Sequence, residues 1–153
     1  MFVLLRQLQR IRAQAGLHRT DTPGWLAIRH VDAGSCNACE HELGLLTSPW
    51  HDLQRFGLDL VASPRHAELL LITGPVTTRM VGPLLSAYEA MPEPRLVGAL
   101  GDCALGCNLL GEAASMVGSV AALLPVDVQI PGCPPSPEAI ATALLRALAE
   151  RAR

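Results

Sequence analysis

Residues 67–75 read AELLLITGP, an aliphatic run that stops at a Gly-Pro pair. A strand buried on both faces of a sheet has this composition, because neither of its sides meets water. Four further runs are similarly short and largely apolar, and each ends at or beside a Gly, Pro or Ser: WLAIRHVDA (25–33), LDLVAS (58–63), RLVGALGD (95–102) and DVQIPG (127–132). The chain therefore contains five predicted strands.

Helical patterns separate these runs. They cover EHELGLLTSP at 40–49 and the neighbourhoods of residues 77–90, 109–122 and 136–151. The last pattern begins where Ser136 can cap a helix and Pro137 can occupy its first position. Strands that alternate with helices predict an α/β fold, in which a doubly wound parallel sheet is built with right-handed crossovers.

Length and charge limit the function. A chain of 153 residues fits one domain, which we place at residues 25–153, after an N-terminal helix and linker at residues 1–24. Twelve Arg and no Lys oppose fourteen Asp and Glu, so the net charge is −2. Such a chain has no general electrostatic attraction for nucleic acid, and we expect no nucleic-acid partner.

The first residues predict a basic amphipathic helix over residues 2–15. Apolar residues recur there at helical spacing, namely Leu4, Leu5, Leu8 and Ile11. Such a helix can lie at a membrane surface or in a partner's apolar groove, and the alternative is packing on its own domain. Because the polar stretch GLHRTDTPG (16–24) follows, we favour contact with a partner or a membrane.

The cysteines indicate ligands rather than disulfides. There are five of them, at Cys36, Cys39, Cys103, Cys107 and Cys133. The apolar run before Arg6 is too short for a signal-peptide core or a membrane span, and we find no twin-arginine signal. We therefore expect the protein in the reducing cytoplasm, where unpaired thiols are metal ligands or buried side chains.

Four of these cysteines follow predicted strands. Cys36 and Cys39 come after the first strand, Cys103 after the fourth and Cys133 after the fifth. The carboxyl ends of parallel strands meet at one edge of the sheet, which is where ligands bind in α/β folds. We therefore expect these four thiols to converge on one site.

A [4Fe–4S] cluster is the group that best fits four such thiols. It takes four thiolates, and the Gly and Pro residues beside these cysteines suit close approach of the backbone. Zinc and a thioredoxin-like dithiol stay open as alternatives. Structural zinc usually takes two C-x-x-C knuckles, of which this chain has one, and a dithiol leaves Cys103 and Cys133 unexplained. We expect Cys107, at the predicted start of a helix, to be a buried thiol.

Three motifs occur in order along the chain, GSCNACEHEL (34–43), GALGDCA (98–104) and PGCPP (131–135). With them the chain resembles, over about residues 25–150, the small 20 kDa-type subunit family shared by [NiFe] hydrogenases and respiratory complex I. The resemblance implies a flavodoxin-like domain that holds one [4Fe–4S] cluster. The ligand positions of that family fall on Cys36, Cys39, Cys103 and Cys133. Cys107 falls on none of them.

The resemblance also implies partners. They are a large subunit with a nickel–iron centre or a quinone pocket, a ferredoxin-like iron–sulfur subunit and membrane-arm subunits. The C-x-x-C spacing and the short chain are similar to energy-converting membrane-bound hydrogenases of the formate-hydrogenlyase type, which implies a peripheral place on the cytoplasmic face of the membrane. A quinone-reducing complex I relative is the alternative within the family. A zinc-bound structural or interaction module is the alternative from another class.

Four polar residues beside the cysteines carry separate expectations. Glu42 matches an acidic position that the resemblance links to proton movement, so we assign it a catalytic role as a proton relay. The alternative for Glu42 is a surface carboxylate near a helix N-terminus. We expect Glu40 and His41 at an interface or in solvent. We expect Asp102 to cap a turn or a helix, with a role at an interface as the alternative.

Overall fold

The fold is an open sheet with helices on both faces. A computed structural model of the chain describes residues 6, 7, 9–11, 13, 24–107 and 115–151. Its strands are β1 (Leu26–Asp32), β2 (Leu58–Leu60), β3 (Leu69–Thr73), β4 (Val76–Thr77), β5 (Leu96–Leu100), β6 (Met116–Gly118) and β7 (Val128–Ile130). Its α-helices are α1 (Ala38–Leu45), α2 (Val81–Glu89), α3 (Asp102–Leu105) and α4 (Pro137–Arg151). Short 3₁₀ turns cover Leu53–Phe56, Pro64–His66 and Val120–Ala122.

The main sheet has five parallel strands in the order β2-β1-β3-β5-β7. Counted among themselves, these strands have the order 2-1-3-4-5, which is the flavodoxin-like arrangement. The predicted flavodoxin-like α/β fold is confirmed. All five predicted runs supply one strand each.

Both faces of the sheet are buried, as the apolar strand sequences require. Alternate residues of β3 point to opposite sides, because side chains alternate along a strand. Leu69 and Leu71 join a cluster with α1 and α4, whereas Leu70 and Ile72 join a second cluster with α2. All four side chains are fully buried.

Helix α4 begins as the sequence predicts. The backbone N–H of Ala139 donates to the hydroxyl of Ser136 at 3.3 Å, and Pro137 is the first helical residue. This arrangement satisfies one of the free N–H groups at the helix start. The helix then buries one face against the sheet.

The N-terminal helical pattern is partly within the described residues. Residues 6, 7, 9–11 and 13 are helical. Ile11 is only 1% exposed and belongs to the same core cluster as Leu46 and Leu144. The side-chain amide of Gln7 donates to Glu138 at 3.2 Å. This face of the helix therefore packs on its own domain, and contact of the other faces with lipid or a partner stays a prediction.

The predicted helix over residues 109–122 is wrong in its second half. Residues 109–114 lie outside the described residues, but Met116–Gly118 forms β6 and pairs antiparallel with β4. Gly118 has φ of +119°, a value that an α-helix does not contain. The apolar residues there face a strand from a distant part of the chain, which a local helical pattern does not reveal.

Candidate functional site

The four predicted cysteines line one pocket at the carboxyl edge of the main sheet. Besides Cys36, Cys39, Cys103 and Cys133, this pocket is lined by Ser35, Ala38, Gly74, Asp102, Gly132 and Pro134. These residues follow β1, β3, β5 and β7, so the pocket spans the point between β1 and β3 where the strand order reverses.

Hydrogen bonds shape the loop that carries Cys36. The carboxylate of Asp32 accepts the backbone N–H groups of Gly34 at 2.8 Å and Ser35 at 2.7 Å. The hydroxyl of Ser35 then accepts the N–H of Asn37 at 3.0 Å. Asn37 has φ of 68°, in the left-handed region that Asn tolerates better than most residues. Helix α1 starts directly after it and carries Cys39.

The loops that carry Cys103 and Cys133 are joined by their backbones. The N–H of Gly101 donates to the carbonyl of Ile130 at 2.8 Å, and the N–H of Asp102 donates to that of Gly132 at 2.9 Å. The side chain of Asp102 accepts the N–H of Gly132 at 2.7 Å. We expected Asp102 to cap a turn or a helix. That expectation is wrong, because Asp102 lies within α3, whose cap is Gly101, and its carboxylate bonds to the neighbouring loop instead.

Gly101 lets the loops come together. Its φ is +90°, and a Cβ on it would lie 2.6 Å from the sulfur of Cys39. Real Cβ atoms do not come so close to another heavy atom, so a side chain here would push the thiol away. Glycine is thus required both by the backbone conformation and by the approach of the sulfur.

Burial and negative neighbours shift the titration of Cys39. Its pKa is raised to about 12, chiefly because the thiol is withdrawn from water, and then because of the charges of Glu40 and the other three pocket thiols. A metal or cluster must take the thiolate, so binding at Cys39 has to displace a proton. The shift also shows that the four sulfurs are near enough to influence one another.

The four thiols line the same pocket on loops that follow β1, β5 and β7. Within the described part of the chain, no group of three or more His, Cys, Asp or Glu side chains has the arrangement of a metal-ion site.

The remaining predicted residues lie outside the pocket lining. Cys107 is exposed, so the prediction that it is a buried thiol is wrong. It follows Gly106 beyond the end of α3, and the residues directly after it, where we predict a helix, lie outside the described residues. Glu42 is half-buried on α1, and His41 beside it is exposed.

A polar network beside Cys39 escaped the sequence analysis, which expected Glu40 at an interface or in solvent. The buried hydroxyl of Thr73 donates to the carboxylate of Glu40. Since a hydroxyl has one proton to give, the Nε2 of His30, 2.9 Å away, must be the donor to it. The network fastens the first turn of α1 to the ends of β1 and β3. Their position at the ends of adjacent strands was the only sequence signal for it.

Burial sets the charge state of the network. It lowers the pKa of His30 below its usual value, and this effect exceeds the opposite one of Glu40 and Asp32. The second carboxylate oxygen of Glu40 is buried and accepts no hydrogen bond within the described residues. The neutral imidazole that burial favours fits the role of donor to Thr73.

Several known proteins are similar to this chain in sequence and fold. The profile of a family described as "NADH ubiquinone oxidoreductase, 20 Kd subunit" matches residues 36–147. The "Probable membrane-bound hydrogenase subunit mbhJ" of Pyrococcus furiosus is 43% identical over 81% of this chain and 74% of its own length. Formate hydrogenlyase subunit 7 of Escherichia coli is 42% identical over 73% of this chain, which spans only 44% of that relative.

A quinone-type relative and two solved structures are similar as well. An NADH-quinone oxidoreductase subunit of Citrifermentans bemidjiense is 44% identical over 71% of this chain and 63% of its own length. A chain of the archaeal membrane-bound sulfane sulfur reductase superposes with a TM-score of 0.69 at 29% identity, over 96% of this chain and 76% of that one. A chain of an NAD⁺-reducing [NiFe]-hydrogenase superposes with a TM-score of 0.66, over 82% of this chain and 92% of that one. Its sequence identity is 19%, so this similarity supports the fold alone. Among the described residues, no helix is long and apolar enough to cross a membrane.

Proposed function

Because this chain belongs to the family of the 20 kDa subunit of NADH ubiquinone oxidoreductase, we propose that it holds one [4Fe–4S] cluster on Cys36, Cys39, Cys103 and Cys133. Membership confirms the resemblance drawn from the three cysteine motifs. The observation that carries the proposal is the convergence of these four thiols on one pocket at the carboxyl edge of the sheet.

The arrangement of the thiols supports a cluster over zinc. A [4Fe–4S] cluster binds each thiolate through a different iron, so its four ligands surround a volume. A zinc ion draws all four sulfurs to one point, and structural zinc usually takes two C-x-x-C knuckles, of which this chain has one. A redox dithiol would use Cys36 and Cys39 alone and leave the other two thiols of the pocket without a function. When bound, the cluster supplies one-electron transfer.

The residues of this chain position the cluster. The bonds of Asp32 and Ser35 set the Cys36 loop, and the bonds of Asp102 set the Cys103 and Cys133 loops. Cys39 and Cys103 are half-buried, whereas Cys36 and Cys133 are exposed. These features govern distance and potential, and no bond-making chemistry is required of this chain.

The surface around the pocket supports docking on a large catalytic subunit. Cys36 and Cys133 are exposed, so this edge needs a cover to shield a cluster from solvent. Leu45 and Trp50, at and beyond the end of α1, are 49% and 63% exposed. Exposed large apolar side chains are typical of subunit interfaces. A ferredoxin-like subunit is the other electron partner in this proposal.

A membrane-associated hydrogenase is the complex that we propose. Cys36 and Cys39 are separated by two residues, the spacing that the sequence analysis associates with hydrogenase members. The relatives named as membrane-bound hydrogenase and formate hydrogenlyase subunits support a peripheral location on the cytoplasmic face of a membrane, beside membrane-arm subunits. The 44% identity to a quinone oxidoreductase subunit favours a second candidate, a complex with a quinone site.

We also propose that Glu42 relays protons near the interface with the large subunit. It is a half-buried carboxylate on α1, three residues after Cys39. The Glu42→Gln variant should slow proton-coupled turnover of the intact complex and leave the electron paramagnetic resonance (EPR) signal of the cluster unchanged. Turnover equal to that of the unmodified complex would contradict the assignment.

The test is metal analysis of the anaerobically purified native complex, with EPR after dithionite reduction. We expect iron and sulfide, and a cluster signal that disappears in Cys36→Ser but persists in the matched variant Cys107→Ser. Zinc alone in this subunit, or a signal that survives in Cys36→Ser, would contradict the proposal. Nickel in the partner distinguishes the hydrogenase from the quinone-type complex.

A further inference from the structure

We propose that Asp102 is a positioning residue, which holds the Cys103 and Cys133 loops at a fixed separation and lowers the reduction potential of the cluster between them. The inference rests on the proposed function. It concerns a residue that the sequence analysis expected to cap a turn or a helix.

The hydrogen bonds of Asp102 run in both directions between the two loops. Its backbone N–H donates to the carbonyl of Gly132 at 2.9 Å, and its carboxylate accepts the N–H of Gly132 at 2.7 Å. Asp102 directly precedes Cys103, and Gly132 directly precedes Cys133. One residue therefore fixes the distance between two ligand positions that are far apart in sequence.

A similar pair of hydrogen bonds joins β5 and β7 at their opposite end. The N–H of Asp127 donates to the carbonyl of Val97 at 2.9 Å, and the carboxylate of Asp127 accepts the N–H of Val97 at 2.8 Å. Asp127 precedes β7 and Val97 lies near the start of β5, so this pair ties the strands far from the thiols. Asp127 is thus a matched reference for the purely structural part of such a bond pair.

Position distinguishes the two aspartates. Asp102 lines the thiol pocket, whereas Asp127 does not. A negative charge on a residue that lines the pocket repels an electron that enters the cluster, and net charge and nearby hydrogen bonds are among the factors that set cluster potentials. A charge on Asp102 therefore makes the cluster harder to reduce, whereas the charge on Asp127 lies at the far end of the sheet.

Three variants in the intact complex separate the two effects. Asp102→Asn keeps an oxygen that accepts the Gly132 N–H but loses the charge, Asp102→Ala loses both, and Asp127→Ala loses the reference pair. The measurements are iron and sulfide retention during incubation with a chelator, the EPR line shape, and the midpoint potential from a mediated redox titration. The titration adds one electron per cluster, supplied by dithionite through the mediators.

We expect Asp102→Asn to retain its cluster with a higher midpoint potential. Asp102→Ala should lose cluster iron roughly tenfold faster and show an altered EPR line shape, because it loses the charge-assisted hydrogen bond that joins the two loops. Asp127→Ala should lower the thermal stability of the subunit and leave potential and line shape unchanged.

Two outcomes would overturn the inference alone. They are an unchanged potential in Asp102→Asn, and an Asp102→Ala variant that matches Asp127→Ala in cluster retention and line shape. If Asp102→Ala does not assemble, the midpoint potentials of Asp102→Asn and Asp127→Ala can still be compared, and only the first should differ from that of the unmodified complex. Absence of iron and sulfide from the unmodified subunit is a different result, because it overturns the proposed function and this inference together.

Discussion

The two ends of the parallel sheet use acidic side chains in the same way but for different purposes. At the amino end, Glu68 accepts the backbone N–H of Ala27 at 3.1 Å and pairs with Arg151 at 2.7 Å. Asp127 bonds to Val97 at the same end. At the carboxyl end, Asp32 and Asp102 also accept backbone N–H groups, but their loops carry the thiols.

The comparison separates what a bond contributes to stability from what it contributes to geometry. The pairs at the amino end join strand starts, and the ion pair with Arg151 attaches the end of α4 to them. The pairs at the carboxyl end hold loops whose separation determines whether four sulfurs can reach one group. A substitution at the first end should change the free energy of unfolding, and one at the second end should change the site as well.

The largest effect is expected from Gly101→Ala at the carboxyl end. The new Cβ would lie 2.6 Å from the Cys39 sulfur, and alanine would be strained at φ of +90°. We expect the free energy of unfolding to fall by about 3 kcal/mol and most of the cluster to be lost. Urea denaturation of the purified chain and iron content of the complex measure the two effects.

Gly44→Ala is the matched control, since nothing lies within 4 Å of the Cβ that it adds on α1. Alanine favours a helix by about 1 kcal/mol over glycine, so this variant should be slightly more stable and retain its iron. If Gly101→Ala retains as much iron as Gly44→Ala, the close approach of Gly101 to the Cys39 sulfur is not needed for cluster binding.

The next largest effect is expected from Glu68→Ala at the amino end. The change leaves the N–H of Ala27, a buried residue, without the carboxylate and removes the partner of Arg151. We expect a loss of about 2 kcal/mol in the free energy of unfolding, and no change in the EPR signal. Arg151→Ala removes only the ion pair, so it should cost less than about 1 kcal/mol. A changed EPR signal in either variant would contradict the claim that bonds at the amino end do not affect the thiol site.

The main sheet and the common edge of the thiols could be predicted because both depend on local sequence patterns. Runs such as AELLLITGP are apolar on both faces and end in residues that stop a strand, so each predicts its own strand. Parallel strands bring their carboxyl ends to one edge, and this rule places Cys39 and Cys133 at the same edge of the sheet. The required information lies within about ten residues of each element.

The features that escaped prediction depend on distant partners. Strand β6 exists because it pairs with β4, and its own residues resemble a helix locally. Asp102 could be read as a cap because caps are local, whereas its partner Gly132 belongs to another loop. The link between His30 and Thr73 requires the strand order, which no single run contains.

A smaller effect is expected from Thr73→Val beside the site. Valine has nearly the shape of threonine but cannot donate to Glu40 or accept from His30. We expect a loss of about 1–2 kcal/mol in the free energy of unfolding, because two partly buried polar groups lose their partner. Thr73→Ser keeps the hydroxyl and should restore the polar part of this loss. A Val variant as stable as the unmodified chain would show that the network contributes nothing beyond packing.

The smallest effect expected is a pH dependence that arises from His30. Its pKa in the folded chain lies below the ordinary 6.5, chiefly because of burial, so the unfolded chain binds a proton more readily. The contribution of neutral His30 to the free energy of unfolding is therefore fully present above pH 6.5, and it decreases as the pH falls below 6.5. The effect is small because the imidazole is still 25% exposed. Urea denaturation between pH 5 and 8 should show a weaker slope in His30→Gln than in the unmodified chain, with His41→Gln as the exposed control. Identical slopes in all three chains would mean that burial of His30 does not couple protonation to folding.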